Sequence, residues 1–415
     1  MLEQFISLLN NPVSLQVWHY IWALAPIWIP LALVWIWLEF WIKYKRREYI
    51  NAQGSALLEI KIPREMFKSP LSMELFLNSL YGTNASVGNL LDVYLKGRIR
   101  PWFSLELVSL GGQVHFYIWC HKNFKSRVET QLYAQFPNIE VHEVSDYALG
   151  VHHDLTKYSF GWIGQFALTK ADAYPIKTYI DYGLDKDAKE EYKHDPIVAV
   201  LEYLGSLKAG EQAWIQILIQ PHAKEGLLHG RIIPKPNWKT GIESEIKDII
   251  KKATMKTEDQ KNPTSLNLSK GQTEVIAAIE RTAAKYPFDA MIRGAYFAEK
   301  DQFNVANIGG LLGSFAQFNS QTLNGIRPDY KAAYDYVWQD FKGSRRRKNE
   351  KELLEAYKRR SFFNVPFKNY HGKPFILTTE ELATLFHFPS YVVAATPTLA
   401  RVPSKRAEAP SNLPI

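Results

Sequence analysis

From Val17 to Leu38 the chain runs through apolar and aromatic positions without a formally charged side chain, and Lys43-Tyr44-Lys45-Arg46-Arg47 follows at once. These twenty-two residues, at ~1.5 Å each, give roughly 33 Å, enough to cross a ~30 Å hydrocarbon layer. Beyond them the period shortens. Ala56 to Ile62 reads as a strand stopped by Pro63, and Leu71, Leu75, Phe76 and Leu80 fall at helical spacing up to Gly82. Phe103 to Ser109 and Val114 to Cys120 are two strands joined by Leu110-Gly111-Gly112-Gln113, where glycine supplies the positive φ angles of a tight hairpin. Lys125 to Gln135 predicts a helix with Val128 and Leu132 inward, and Asn138 to Val144 alternates as a closing strand.

The order strand–helix–strand–strand–helix–strand is the split βαβ, or ferredoxin-like, arrangement. It puts two helices on one face of an antiparallel sheet and leaves the other face open to a partner domain. A second copy follows: a strand over 158–169, a helix opened by Asp195-Pro196, strands over 213–220 and 290–298, and a helix over 303–318. Phe315-Ala316-Gln317-Phe318 at its end echoes Tyr133-Ala134-Gln135-Phe136 of the first copy. The tight turn of the first copy is replaced in the second by residues 221–289. Ile242, Ile246, Ile249 and Ile250 make one amphipathic face there, and Val275, Ile276, Ile279 and Ala283 another, with a polar connection over 254–270. Residues 330–341 and 350–360 read as helices separated by the basic run Lys342–Lys348. Thr378 and Glu381 form a capping box that starts a short helix.

The expected fold class is therefore α+β: one N-terminal transmembrane helix followed by two tandem ferredoxin-like modules, with a helical insertion in the second. The expected boundaries are an extracytoplasmic N-terminus over 1–16, the membrane helix over 17–42 and a basic juxtamembrane segment over 43–55. The modules fill 56–147 and 148–320, a helical and basic C-terminal region spans 321–389, and a Pro-rich tail spans 390–415.

Composition sharpens the anchor. Trp18, Trp22, Trp28, Trp35, Trp37 and Trp41 place half of the twelve tryptophans in one stretch, and indole concentrates at membrane interfaces. A cleavable signal would carry positive charge before its apolar run, whereas the first cation is Lys43. Pro26 and Pro30 are expected to kink the helix, and Glu39 to pair with Lys43 one turn on. Lys43, Lys45, Arg46 and Arg47 predict a cytoplasmic C-terminal side. The single Cys120 excludes a disulfide within the chain and reads as a small buried strand residue.

No residue set predicts catalysis. Gly372-Lys373-Pro374 lacks the hydroxyl and upstream glycine of a phosphate-binding loop, and Gly309-Gly310-Leu311-Leu312-Gly313 reads as a packing surface. His152-His153-Asp154 and the group Asp181, Asp185 and Asp187 read as polar loops rather than metal ligands. His115 and His121 read as pairing or surface residues. No cofactor is expected. The net charge of +8 is spread over the chain, but Lys342, Arg345, Arg346, Arg347, Lys348, Lys358, Arg359 and Arg360, relieved by Glu350, Glu352 and Glu355, predict either a phosphate or anionic-lipid contact or a solvated turn.

Several stretches carry a resemblance. They are Arg100-Pro101-Trp102-Phe103-Ser104-Leu105-Glu106-Leu107, His115-Phe116-Tyr117-Ile118-Trp119, Val128 to Pro137, Glu380 to Pro389 and Ala409 to Pro414. With the anchor they resemble the N-terminal membrane-anchored region of type IV secretion and conjugation-like coupling ATPases, which are tethered to the bacterial inner membrane and translocate DNA. In that family the Asn-Leu-Pro stretch leads into a hexameric motor with a phosphate-binding loop, and this chain ends instead. The resemblance implies a non-enzymatic assembly or docking subunit that partners a motor ATPase in trans and self-associates in step with a ring. A second expectation is a membrane-tethered nucleic-acid-binding protein, in which Phe116, Tyr117 or Trp119 on an open sheet face stack bases and Arg345 to Lys348 hold phosphates.

Overall fold

From Ala25 the charge-free run continues through the basic cluster as one helix, α1 (Ala25–Gln53), preceded by a turn at Leu24 and closed by Gly54 at φ +62°. In this computed structural model the described residues are 16, 19–20, 22–63, 68–83, 90–185, 194–223, 238–257, 268–332, 334, 336, 338, 340–364, 372–389 and 401–402. The expected extracytoplasmic segment except Gln16, Val17, Trp18 and Ile21 of the expected membrane helix, most of the Pro-rich tail, most of the 254–270 connection and Asp187 lie outside them. The apolar part of α1 has a mean hydropathy of 1.6 and is 6% buried, so it is long and apolar enough to cross a bilayer. Pro26 sits in its first turn, where a missing N–H costs nothing, and Pro30 lies one turn further in. Glu39 pairs with Lys43 at 2.9 Å.

The basic segment is not a free linker. The Trp41 indole donates to Tyr94 O at 2.9 Å, on the short helix α3 (Leu90–Tyr94). Gly97, at φ +68°, lies so close that a Cβ would meet the Lys45 backbone at 2.3 Å. Any side chain at position 97 would prise α1 from the domain.

The first module comprises β1 (Ser55–Pro63), α2 (Leu71–Tyr81), α3, β2 (Phe103–Leu110), β3 (Gln113–His121), α4 (Lys125–Gln135) and β4 (Glu140–Val144). Its strands pair antiparallel in the order β4-β1-β3-β2. The second comprises β5 (Tyr158–Leu168), α5 (Pro196–Gly205), β6 (Glu211–Pro221), β7 (Pro287–Glu299), α8 (Ala306–Gly313) and β8 (Ile326–Lys331). Its order is β6-β7-β5-β8, the same ferredoxin-like sequence of neighbours read from the opposite side. The insertion between β6 and β7 is a pair of helices, α6 (Trp238–Thr257) and α7 (Lys270–Ala283). Trp238, Ile242 and Ile279 bury there against Ala173 and Ile376 in a small core of their own.

The two modules fuse edge to edge. β2 pairs antiparallel with β6 from Phe103 opposite Ile219 to Leu110 opposite Gln212. Two four-stranded sheets thereby become one surface, and the strands at the seam lose the exposed edges that would otherwise template aggregation.

Residues 321–389 are not a separate region, which corrects the boundary at 320. β8 closes the second module beyond it, and the described residues among 330–341 contain no α-helix. The strand escaped the hydrophobic pattern because it is an edge: Arg327, Pro328 and Asp329 face solvent, and proline is tolerated only there. α9 (Ser344–Lys358) starts inside the basic run instead of after it. β9 (Phe375–Thr378) pairs with the start of β7. α10 (Thr379–Leu385) follows, its N-terminus fixed by Glu381, which accepts from the Thr378 N–H at 2.8 Å. Beyond it Phe386 and Phe388 reach the first module, with ring centroids 5.8 and 5.5 Å from Phe116. A short β10 (Arg401–Val402) pairs with β1. The C-terminal stretch therefore laces the two modules together.

Candidate docking surface and the buried arginine network

The face opposite the helices is closed by α9 and the residues after it, and not left open for a partner domain. Register places a polar row across this face: Gln165 opposite Arg293, Arg293 opposite Gln216, Gln216 opposite Glu106, and Glu106 opposite Tyr117. All five side chains are buried. A buried charge needs a partner, and the strap formed by α9 and the residues that follow it to Phe363 supplies it. Arg360 Nε donates to Glu106 Oε1 at 2.9 Å and its Nη2 to Oε2 at 3.1 Å, a bidentate pair. The same guanidinium binds Asp146. Glu106 also accepts from Ser104 Oγ at 2.6 Å, Gln216 Nε2 at 3.0 Å and the Tyr147 hydroxyl at 2.8 Å. Burial works against its charged form, but the Arg360 guanidinium outweighs it and holds the carboxyl below its ordinary value.

Arg293, next along the row, has hydrogen bonds but no carboxylate. Its Nη2 donates to Ser361 O at 2.7 Å and its Nη1 to Ala356 O at 3.1 Å. Burial depresses this guanidinium to about 9. Arg293 reaches from the sheet to backbone carbonyls after and within α9, and Arg360 reaches back to Glu106 on the sheet, so the two hold α9 in place and have no path to a ligand in solution.

The basic run thus divides. Arg360 is 1% exposed and Lys358 pairs with Glu355, which removes both from the candidate phosphate contacts. Arg346 bonds Glu350 at 2.7 Å and Phe160 O at 2.9 Å. Lys348 lies 3.9 Å from Glu352, and Arg359 lies 3.6 Å from Glu355. Lys342, Arg345 and Arg347 remain exposed around the start of α9. Asp340 caps that start, accepting from Arg346 N at 2.7 Å and Arg345 N at 3.2 Å. Beside these cations stand large exposed rings: Tyr334, Tyr336, Trp338 and Phe341 at 40%, 62%, 67% and 79% exposure. Tyr336 and Trp338 stack with centroids 5.9 Å apart. This aromatic corner had no sequence expectation, because the segment was read as a helix. Its signal was four aromatics within eight residues, next to arginines.

The other candidates fall as follows. Phe116, Tyr117 and Trp119 are 1%, 5% and 7% exposed, which overturns base stacking on the sheet. His153 pairs with Glu350 at 3.0 Å while Asp154 turns to Thr156, so the two go to separate partners. Asp181 is not merely solvated, since it pairs with Arg281 at 3.0 Å. His115 pairs with Glu59 at 2.7 Å. Cys120 is buried in β3, and burial pushes its thiol up to about 12. Gly310 packs on Tyr203, whose ring would lie 2.6 Å from a Cβ there, while Gly309 and Gly313 face open space. Lys43 and Lys45 are half-buried, with Lys45 bonded to Glu48 at 2.8 Å. No cluster of three potential metal ligands occurs among the described residues.

The insertion lines two clefts, one of about 650 Å³ between α6, α7 and Tyr174 and one of about 380 Å³ between α6 and the sheet end, with His222 and Trp238 in its wall. His222 Nδ1 lies 3.0 Å from Asp289, which also contacts Arg100 at 3.3 Å. That arrangement ties the end of β6 to β7.

In comparison with known families, the family described as "Domain of unknown function (DUF8128)" matches residues 51–399. No curated protein matches the chain.

Proposed function

The chain belongs to the DUF8128 family, and for this member we propose a membrane-anchored, non-catalytic assembly or docking subunit of a type IV secretion or conjugation-like translocation machine. It sits in the bacterial inner membrane with the two-module sheet in the cytoplasm, and it partners a motor ATPase on a separate polypeptide. The observation that carries this reading is mechanical continuity. An exposed apolar helix runs unbroken past its basic cluster and is held by Trp41, Lys45 and Gly97 onto a sheet fused from two modules. Such an anchor transmits position to whatever binds the far side, which is what an assembly subunit requires. The cytoplasmic assignment rests on Lys43, Lys45, Arg46 and Arg47 lying on one side of the apolar run.

The test is purification of the full-length protein in mild detergent, with bound proteins identified by mass spectrometry after crosslinking. A stoichiometric ATPase is expected. Preparations that repeatedly bring down nucleic acid released by salt, and no ATPase, would replace this reading with that of a tethered nucleic-acid-binding protein.

A further inference from the structure

The aromatic corner is placed as far from the anchor as the sheet allows. α1 delivers the chain to β1 at Ser55, which faces His121 at the end of β3. Arg346, at the start of α9, binds Phe160 near the start of β5, the opposite end of the strands. β1 and β5 are five strand spacings apart in the sheet order, roughly 24 Å at ~4.8 Å each. The corner therefore lies diagonally across the sheet from the membrane side, which disfavours a lipid contact.

Charge decides between the remaining partners. A polyanion such as nucleic acid needs a row of unneutralised cations. Here Arg346 and Lys348 are already paired with Glu350 and Glu352. Lys342 and Arg347 are left without a carboxylate among the described residues. Asp340 adds a negative charge at the helix N-terminus and occupies N–H groups that a phosphate would take. What is abundant is exposed ring surface. An aromatic centre with a sparse arginine and lysine rim is the anatomy of a protein interface, where tryptophan, tyrosine and arginine dominate the energy.

We propose that Tyr334, Tyr336, Trp338 and Phe341, rimmed by Lys342 and Arg347, form the docking surface for a cytoplasmic protein whose contact face is an apolar stripe flanked by carboxylates. This rests on the reading of the chain as a docking subunit and names the chemistry of the partner's contact face. Trp338 and Phe341 supply the apolar anchors, and the two cations select against basic surfaces.

The test uses the full-length protein in detergent and three labelled probes: an amphipathic helical peptide of Leu and Glu, a thirty-nucleotide oligo-dT, and phosphatidylglycerol vesicles. The peptide is expected to bind, and the double variant W338A/F341A to weaken it at least tenfold. R347E is expected to weaken it several-fold, and thermal unfolding of both variants to match the parent. Equal peptide binding by parent and variants, or none by the parent, would overturn the proposal. So would tighter, corner-dependent binding of the oligonucleotide, which would assign the surface to nucleic acid, or of the vesicles, which would assign it to the membrane. The ATPase co-purification separates this result from the function proposed above. A motor retained equally by W338A/F341A leaves that function standing and removes this surface, whereas corner-dependent peptide binding without a motor does the reverse.

Discussion

Arg347 and Arg360 stand thirteen residues apart on one basic run, yet they have opposite environments. Arg360 lies under the strap with Glu106 on two of its nitrogens, while Arg347 stands in solvent beside four exposed rings. The difference lies in what their elements face. The C-terminal end of α9 crosses a sheet face that carries carboxylates, so a cation there completes the fold. At its N-terminal end Arg346 turns to Glu350 and to Phe160 O of the second module, while Lys342 and Arg347 face solvent. Basic composition alone therefore says nothing about binding until the facing surface is known.

Substitutions should separate the two ends sharply. Arg360→Ala leaves Glu106 buried without its cation, a change that typically costs about 3–5 kcal/mol, and chemical denaturation of the detergent-solubilised protein should show a loss of that order. A loss below about 1 kcal/mol, the size typical of exposed ion pairs, would mean the network is not formed. The same network predicts acid sensitivity. Glu106 titrates below its unfolded value of ~4.3, so its contribution is complete above that pH and disappears as the pH falls through the folded value. Glu106→Gln should blunt the acid transition measured by tryptophan fluorescence.

A smaller effect is expected at the lacing element. Thr378→Ala removes the N-cap of α10 and should cost about 1 kcal/mol, read as a lower denaturation midpoint. Nearby, burial pushes the Glu381 carboxyl up to about 7 despite N–H bonds from Thr378 and Ile176. A carboxyl with a raised folded value takes up a proton on folding, so its contribution is greatest below ~4.3 and falls as the pH rises through about 7. Glu381→Gln should flatten that decline when midpoints are compared at pH 5 and pH 7.5. The smallest effect belongs to the exposed end, where Arg347→Ala should leave the denaturation midpoint unchanged. A marked drop there would show that Arg347 is structural, and would erase the contrast with Arg360.

Much of the fold was legible because its signals are local. Gly111-Gly112 marks the hairpin by φ values of +63° and +87°. Thr378 and Glu381 mark a helix start, and the echo between 133–136 and 315–318 falls at the end of the second helix segment of each module, where Phe136 and Phe318 are buried. The strap was not legible, since its partners lie far away in sequence: 254 residues separate Arg360 from Glu106, and 214 separate it from Asp146. One hint was present. Glu106 sits in a strand whose other positions are apolar or small, and a lone glutamate in such a strand calls for a buried cation. The aromatic corner was missed for a different reason. Its rings are spaced compatibly with a helix, and only the structure shows how much of their surface is exposed.

The central claim is that the anchored sheet presents its partner-binding surface at the corner farthest from the membrane. The most direct measurement is quantitative co-purification of the full-length parent, W338A/F341A and Arg359→Ala in the same mild detergent, with ATPase recovered per mole of anchor as the readout. The account predicts recovery with the parent and with Arg359→Ala, and its loss with W338A/F341A. Equal recovery from all three, or none from the parent, would contradict it.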